Sequence, residues 1–347
     1  QGDHCGPPRR GKGHTVEHPA QPAQPGHQRR VDDDRLNGHD DGEHPQKAPV
    51  LVQAPEDVSP LVPHVKAVKE GAPDEQDEIG AQTLLRGLEQ AIEYIKGLHF
   101  DESDIEYLRS LNIFAEDFLE YLSTFRFTGD IYAIPEGTVV FPRESLIKVI
   151  APIMQAQLVE TALLTIINHQ SLIATKAARV CYAANGDGVM EFGLRRAQGP
   201  DSGVYGARAA VIGGCKGTSN VLTGKLFDVP VLGTHAHSWI MSFPDEYTAF
   251  KTYSSLYPSA CILLVDTYDT LKSGILNAIR VFTEMRNAGI PLTYYGIRMD
   301  SGDLAYLSKI ARKMLDDAGF SDAVISASND LDEYLIENLK SQDAKIN

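Results

Sequence analysis

The chain reads as an α/β protein whose second half is a β/α barrel or barrel fragment, and three observations predict this. From about residue 189, apolar runs of strand length alternate with helical patterns at a repeat of roughly 30 residues, the rhythm of parallel strands joined by crossover helices. The strand runs, such as Ala260–Thr267 ("ACILLVDT"), are continuously apolar, as when both faces of a sheet are covered. No GxGxxG follows a strand, which disfavours a dinucleotide-binding sheet and leaves the barrel.

The elements follow in order. Residues 1–83 form a Pro/His/Gly/Asp-rich segment of low order. Eleven of the nineteen prolines and seven of the eleven histidines lie before residue 81, and no aromatic residue precedes Tyr94. Such a segment cannot bury enough apolar area to offset chain entropy. Its histidines (His4, His14, His18, His27, His39, His44 and His64) show no metal-ligand periodicity. The abrupt change of composition near Ile79–Leu84 leads us to expect out-of-frame or misjoined sequence here. Residues 84–150 read as ordinary globular sequence ahead of the barrel. "LLRGLEQAIEYIKGL" and "DESDIEYLRSL" are helical, and "GDIYAIPEGTVVFP" alternates as a hairpin. A buried helix is expected over Leu158–Val180. Residues 151–347 form the barrel, with strands at Val189–Leu194, Val229–Thr234, Ala260–Thr267, Leu292–Asp300 and Val324–Ser328. Helices are expected between and after them, at Gly203–Gly213, Thr218–Leu226, Glu246–Leu256, Thr270–Ala288, Asp303–Ala318 and Leu331–Leu339.

Composition narrows the function classes. A net charge of -15 argues against a nucleic-acid surface but permits a local arginine cluster for a phosphorylated small molecule. Cys5, Cys181, Cys215 and Cys261 are dispersed without CxxC spacing, which suits a reducing cytoplasm. No run of about 18 apolar residues suggests a membrane span.

Every predicted strand ends in polar residues, where barrel enzymes build their sites. These are Glu191 to Arg196, Gly233 to His237, Asp266 to Asp269, Arg298 to Asp303 and Ser326 to Asp330. One such cluster could be helix capping, but five in succession point to a site. Arg195 and Arg196 are as consistent with a phosphate site as with a solvated pair. Lys216 opens a helix start whose free N–H groups favour an anion. In "GTHAHSW", His235 and His237 would share a strand face and could ligate a metal as in a barrel hydrolase. No histidine follows His237 to complete such a centre, so a phosphate-handling histidine beside arginines and aspartates fits the inventory better.

"EFGLRRAQGPDSG", "KGTSNVLTGKLFDVPVLGTHAHSW", "LLVDTYDT" and "IRMDSGDL" together resemble the nicotinate phosphoribosyltransferase family, of the type II phosphoribosyltransferases, over about residues 84–347. The resemblance implies an irregular α/β barrel, incomplete here at its C-terminal end, joined to an α/β sandwich domain of which residues 84–150 are a remnant. It implies coupling of nicotinate with phosphoribosyl pyrophosphate, driven by ATP with Mg²⁺ present, in a cytoplasmic homodimer with shared active sites. His237 matches the histidine that accepts the ATP γ-phosphoryl group, and imidazole is a competent acceptor. Phe192 matches the platform for the pyridine ring, and Arg195 the arginine near the base and its carboxylate. Arg196 and Arg298 would counter phosphate charge. Ser219 stands where the related nicotinamide enzyme has an aspartate, and its neutral hydroxyl would favour the acid over the amide. Asp300 would lie near the ribose or base, Asp266 and Asp269 near Mg²⁺ or the charge developing at C1, and Thr267 and Lys216 on substrate. No metal site built from protein ligands alone is expected. The leading "TDxYxxTM"-like segment of the family, with the tyrosine that enters the partner's site, has no counterpart here, and the family's later phosphate loop is not found before Asn347. An open barrel edge and little activity are therefore expected of this chain.

Overall fold

Strand and helix alternate in the second half because short β-branched and aliphatic runs are punctuated by Gly, Pro and Asx residues that stop one element and cap the next. The computed structural model describes Val65–Ala67 and residues 83–347. These fall within the unit Val58–Asn347. The proline-rich segment before them, with its expected low order and its seven scattered histidines, lies outside the described residues.

The first part holds β1 (Val65–Ala67), β2 (Thr83–Leu84), α1 (Leu88–Gly97), α2 (Glu102–Ser110), α3 (Glu116–Ser123), β3 (Asp130–Ala133), β4 (Val139–Val140) and β5 (Ile147–Ile150). Asp101 starts α2 through a capping box with Asp104, satisfying two otherwise orphaned N–H groups. The stretch expected to fold back as a hairpin does not. β3 lies between β1 and β5, whereas β4 pairs with β2 in a separate sheet. The cause is the tight turn at Pro135–Thr138. Its Gly137 N–H is donated to the Leu85 carbonyl, and the Thr138 carbonyl accepts from Leu85 N–H, so the next strand is drawn to β2.

The long helix α4 (Ile153–Ala183) outruns the span expected for it at both ends. Thr175 and Ser171 on α4 accept hydrogen bonds from the backbone N–H groups of Leu84 and Arg86, at 2.9 and 3.0 Å, which ties the first part to this helix. A core of Leu85, Ala91, Ile95, Phe127, Ile131 and Val140 closes against Val159, Leu163 and Ile167 of α4.

Then come β6 (Met190–Glu191), α5 (Pro200–Ile212), β7 (Gly217–Thr218), α6 (Val221–Phe227), α7 (His237–Met241) and α8 (Glu246–Leu256). They are followed by β8 (Cys261–Leu264), α9 (Ile275–Asn287), β9 (Tyr295–Met299), α10 (Leu304–Asp317), β10 (Val324–Ala327) and α11 (Glu333–Ser341). β8, β9 and β10 form a parallel sheet in the order β10-β9-β8, and β6 pairs in parallel with β7. This is a mixed α/β fold. The expected strand Val229–Thr234 is reduced to one parallel bridge between Thr218 and Val231. Its partner β7 is too short to continue the ladder, because Asn220 turns away to cap α6.

The main core sits between β8–β10 and helices α8 to α11, with Phe250, Phe282, Ile297, Met299, Leu315 and Phe320 essentially sealed from water. Burial of each such side chain contributes about 1.5–3 kcal/mol. Phe282, Tyr295 and Phe320 meet edge to face with centroids 5.1–6.0 Å apart. A five-residue π turn at Thr270–Gly274 joins β8 to α9. Gly274 is required there, since a Cβ would stand 1.8 Å from the Val265 carbonyl oxygen. Among the described residues no helix is long and apolar enough to cross a membrane.

Candidate active site

The parallel register of β8 to β10 brings the carboxylates of successive loops together at the strands' C-terminal ends. Val265 N–H reaches the Arg298 carbonyl at 3.0 Å and Ser328 N–H reaches the Met299 carbonyl at 2.9 Å, so residues 266, 300 and 328 emerge side by side. Asp266 is the hub, its side chain only 1% exposed. Oδ2 accepts the Asp300 backbone N–H at 2.8 Å and the Ser301 hydroxyl at 2.6 Å. Oδ1 faces His237 Nε2 at 3.1 Å. Asp300 is held in turn by the Ser328 hydroxyl, which donates to its Oδ1. A carboxylate only accepts, so His237 donates through Nε2, and in the neutral imidazole that leaves the lone pair on Nδ1.

Arg298, at the end of β9, donates to the Thr234 hydroxyl. Burial holds its guanidinium below the usual arginine range, while the Asp300 and Asp266 carboxylates oppose that shift and Arg195 adds to it. Its Nε has no partner, and neither does the buried Thr267 hydroxyl beside Asp266. Unpaired buried donors at the mouth of a sheet are groups that a bound ligand can satisfy.

The two histidines separate. His235 is buried, its Nε2 accepts the Leu264 N–H at 3.2 Å, and its ring packs edge-on against Tyr253 at 4.4 Å. Burial first, and then the Arg298 and His237 charges, push its imidazole down to about 4. His237 instead opens α7 and is partly exposed. The expectation that both share one strand face fails because the pairing with Thr218 stops at Leu232, whose N–H donates to the Thr218 carbonyl at 2.9 Å, and a helix starts at 237. His235 Nε2 is closed to a metal, and among the described residues no group of three or more His, Cys, Asp or Glu could hold one.

Phe192, Arg195, Arg196, Ser219 and Lys216 lie at the β6–β7 corner. Arg195 and Arg196 sit exposed on a single 3-10 turn, Leu194–Arg196, rather than on a continued strand. Arg196 pairs with Asp330 at 3.1 Å, and Arg195 is near enough to Arg298 for their charges to interact. Phe192 is half-buried, whereas Ser219 and Lys216 are exposed. Asp269 is a cap: its carboxylate accepts from Leu271 and Lys272 N–H at 3.1 and 2.9 Å, which starts the π turn and lowers its pKa. A cavity of about 390 Å³ opens beside the site, between the loops after β9 and β10 and α11, lined among others by Asp303, Asn329, Asp330 and Asn338.

Sequence reasoning gave no role to Ser301, Ser328, Thr234 or Thr218. Ser301 and Ser328 lay inside the quoted polar strand ends, and adjacency of their strands was the signal that could have found them.

Comparison with known proteins identifies the family. The model of the nicotinate phosphoribosyltransferase N-terminal domain matches residues 65–168, beginning upstream of residue 84, and that of the nicotinate phosphoribosyltransferase family matches residues 188–327. A nicotinate phosphoribosyltransferase of Bacillus subtilis is 54% identical over 263 residues, covering 76% of this chain and 53% of that protein. One from Mycobacterium tuberculosis is 46% identical over 256 residues, covering 74% of this chain and 54% of the relative. The crystal structure of human nicotinic acid phosphoribosyltransferase superposes with a TM-score of 0.70 at 29% identity, covering 77% of this chain and 65% of that one. The chain thus spans about half the length of the curated relatives it matches. With two models of one family matching successive parts of it, the chain belongs to the nicotinate phosphoribosyltransferase family.

Proposed function

We propose that this chain carries phosphoryl-transfer and base-recognition machinery for coupling nicotinate with phosphoribosyl pyrophosphate, giving nicotinate mononucleotide and pyrophosphate at the expense of ATP. The observation that carries the reading is the chain of contacts His237–Asp266–Asp300, in which a buried carboxylate orients a partly exposed imidazole. With Nε2–H donated to Asp266, the Nδ1 lone pair attacks the γ-phosphorus of ATP. The N–P bond forms as the bond to the ADP oxygen breaks, and the phosphohistidine is later hydrolysed to phosphate.

In the second half-reaction the pyridine nitrogen attacks C1 of the ribose and the C1–O bond to pyrophosphate breaks. Arg298, with Arg195 and Arg196, opposes the charge that collects on the leaving pyrophosphate. Asp266 and Asp300 face the positive charge that develops at C1, while Asp269 is left to capping. Phe192 stacks the pyridine ring, Ser219 accepts its carboxylate without repulsion, and Thr267 and Lys216 complete the substrate contacts. Mg²⁺ suits these residues when held mostly by pyrophosphate oxygens and water with Asp300 as its one protein carboxylate, where it would supply counter-charge. In this reading residues 84–150 belong to an α/β sandwich domain and residues 151–347 to the irregular barrel. The enzyme works in the cytoplasm as a homodimer with shared sites.

The test is ³²P transfer from γ-labelled ATP to the full chain, followed as an acid-labile label, alongside nicotinate-dependent pyrophosphate release. We expect the label to vanish in His237→Gln and persist in His235→Gln. An unlabelled wild type, or tight stoichiometric zinc binding that needs both histidines, would sink the reading.

A further inference from the structure

We propose that Glu191 is a positioning residue for the aromatic acid, its carboxylate clamping the turn that carries Phe192 and Arg195 to the loop that carries Ser219. This rests on the function proposed above.

β6 and β7 share only two residue pairs, Met190 with Gly217 and Glu191 with Thr218, so the ladder alone joins the two loops weakly. Glu191 supplies the rest. Its Oε1 accepts the Gly193 N–H, folding the carboxylate over the turn that follows. Its Oε2 accepts the hydroxyl proton of fully buried Thr218 at 2.5 Å. That same hydroxyl oxygen accepts the Asn220 N–H at 2.9 Å, and Asn220 caps α6 through the Thr223 N–H at 3.3 Å. The Ser219 N–H completes the set by donating to the Glu191 carbonyl at 3.0 Å. Ser219 is thus tied to Glu191 through its own backbone and through both neighbours. Gly193 makes the fold-back possible, since a Cβ there would stand 2.7 Å from Oε1.

Both partners of the carboxylate are donors, which only a carboxylate satisfies fully. The isosteric Glu191→Gln change turns an N–H₂ group toward one of them and leaves either the buried Thr218 hydroxyl or the exposed Gly193 N–H without its acceptor. The clamp has no contact with the His237–Asp266–Asp300 chain, so its loss separates base recognition from phosphoryl transfer.

The experiment measures KM for nicotinate, KM for ATP, kcat and labelling of His237 in the full chain. Glu191→Gln should raise KM for nicotinate about tenfold, the loss of one hydrogen bond to a charged group, with KM for ATP and labelling within twofold of wild type. Thr218→Val should act alike, and the double variant should be no worse than either single one. Thr218→Ser, which keeps the hydroxyl, should bring KM back toward the wild-type value. An unchanged nicotinate KM in folded Glu191→Gln, or a uniform fall in kcat with every KM unmoved, overturns the clamp alone. A wild type that is labelled but neither turns over nor binds nicotinate overturns the clamp together with the substrate assignment.

Discussion

The β8–β9–β10 layer and the β6–β7 corner place functional side chains by different means. In the layer, four- and five-residue strands with sealed interiors set the register of Asp266, Asp300 and Ser328, and hydrogen bonds between those residues complete it. In the corner, two-residue strands carry Phe192, the arginine pair and Ser219, and side-chain hydrogen bonds substitute for a ladder. Asp266, Arg298 and Asp300 therefore stand on a stiff base. Groups that would recognise the base stand on a lighter one, held by Glu191.

The contrast is broken most strongly at its stiff end. Asp266→Asn keeps the shape but puts an amide N–H₂ opposite either His237 or the Asp300 N–H, both of which donate to the native carboxylate. Phosphorylation of His237 should slow by about a hundredfold or more, the scale of losing an oriented acid–base partner. Rapid-quench labelling with γ-labelled ATP measures this, and circular dichroism confirms that the variant is folded. A rate within threefold of wild type would mean that Asp266 does not orient the imidazole.

The layer can also be attacked through its backbone. Gly274→Ala forces a methyl group into the Val265 carbonyl, which no side-chain rotation relieves. A loss of roughly 4 kcal/mol in unfolding free energy is expected, the range of severe overpacking. Denaturant unfolding checks it, and a loss below about 1 kcal/mol would show that the π turn adapts.

What the sequence made legible follows the same division. β8, β9 and β10 lie within the predicted runs because a strand covered on both faces leaves an unbroken apolar signature. The convergence of Asp266, Arg298 and Asp300 could be read from their place at the C-terminal ends of those runs. The corner was less legible. Val189–Leu194 shrinks to Met190–Glu191 and Val229–Thr234 to a single bridge, since apolar content cannot reveal that a partner strand is too short. The hairpin reading of residues 129–142 failed for a related reason: the alternation was real, but long-range hydrogen bonds to Leu85 chose other partners. His235 and His237 look equivalent in sequence, and only the helix start at 237 separates a buried packing residue from a partly exposed one paired with Asp266. Asp269 shows the converse, a polar strand end that is a cap.

That separation predicts a pH signature. The native state holds His235 neutral down to about 4, mainly through burial, whereas the unfolded side chain titrates near 6.5. Between those values the unfolded chain binds a proton that the native chain does not, so stability falls as pH falls through the window. Above 6.5 the contribution is fully present, and below about 4 nothing more is lost. The whole effect is about 3 kcal/mol. Urea titrations from pH 7 to pH 4 should show this slope in the wild type and a shallower one in His235→Gln. Equal slopes would place the titrating group elsewhere.

The smallest effect is expected at the corner's own ion pair. Arg196 and Asp330 meet at 3.1 Å with side chains 64% and 77% exposed. Water screens such a pair, so Asp330→Asn should change unfolding free energy by less than about 0.5 kcal/mol. The same change frees a guanidinium that the proposed reaction sets against phosphate oxygens. KM for phosphoribosyl pyrophosphate should therefore fall, by about twofold, while stability stays put. A rise in that KM would instead mean that Asp330 holds Arg196 in its working position, and the corner would then be stiffened by a surface pair as well as by the half-buried carboxylate of Glu191.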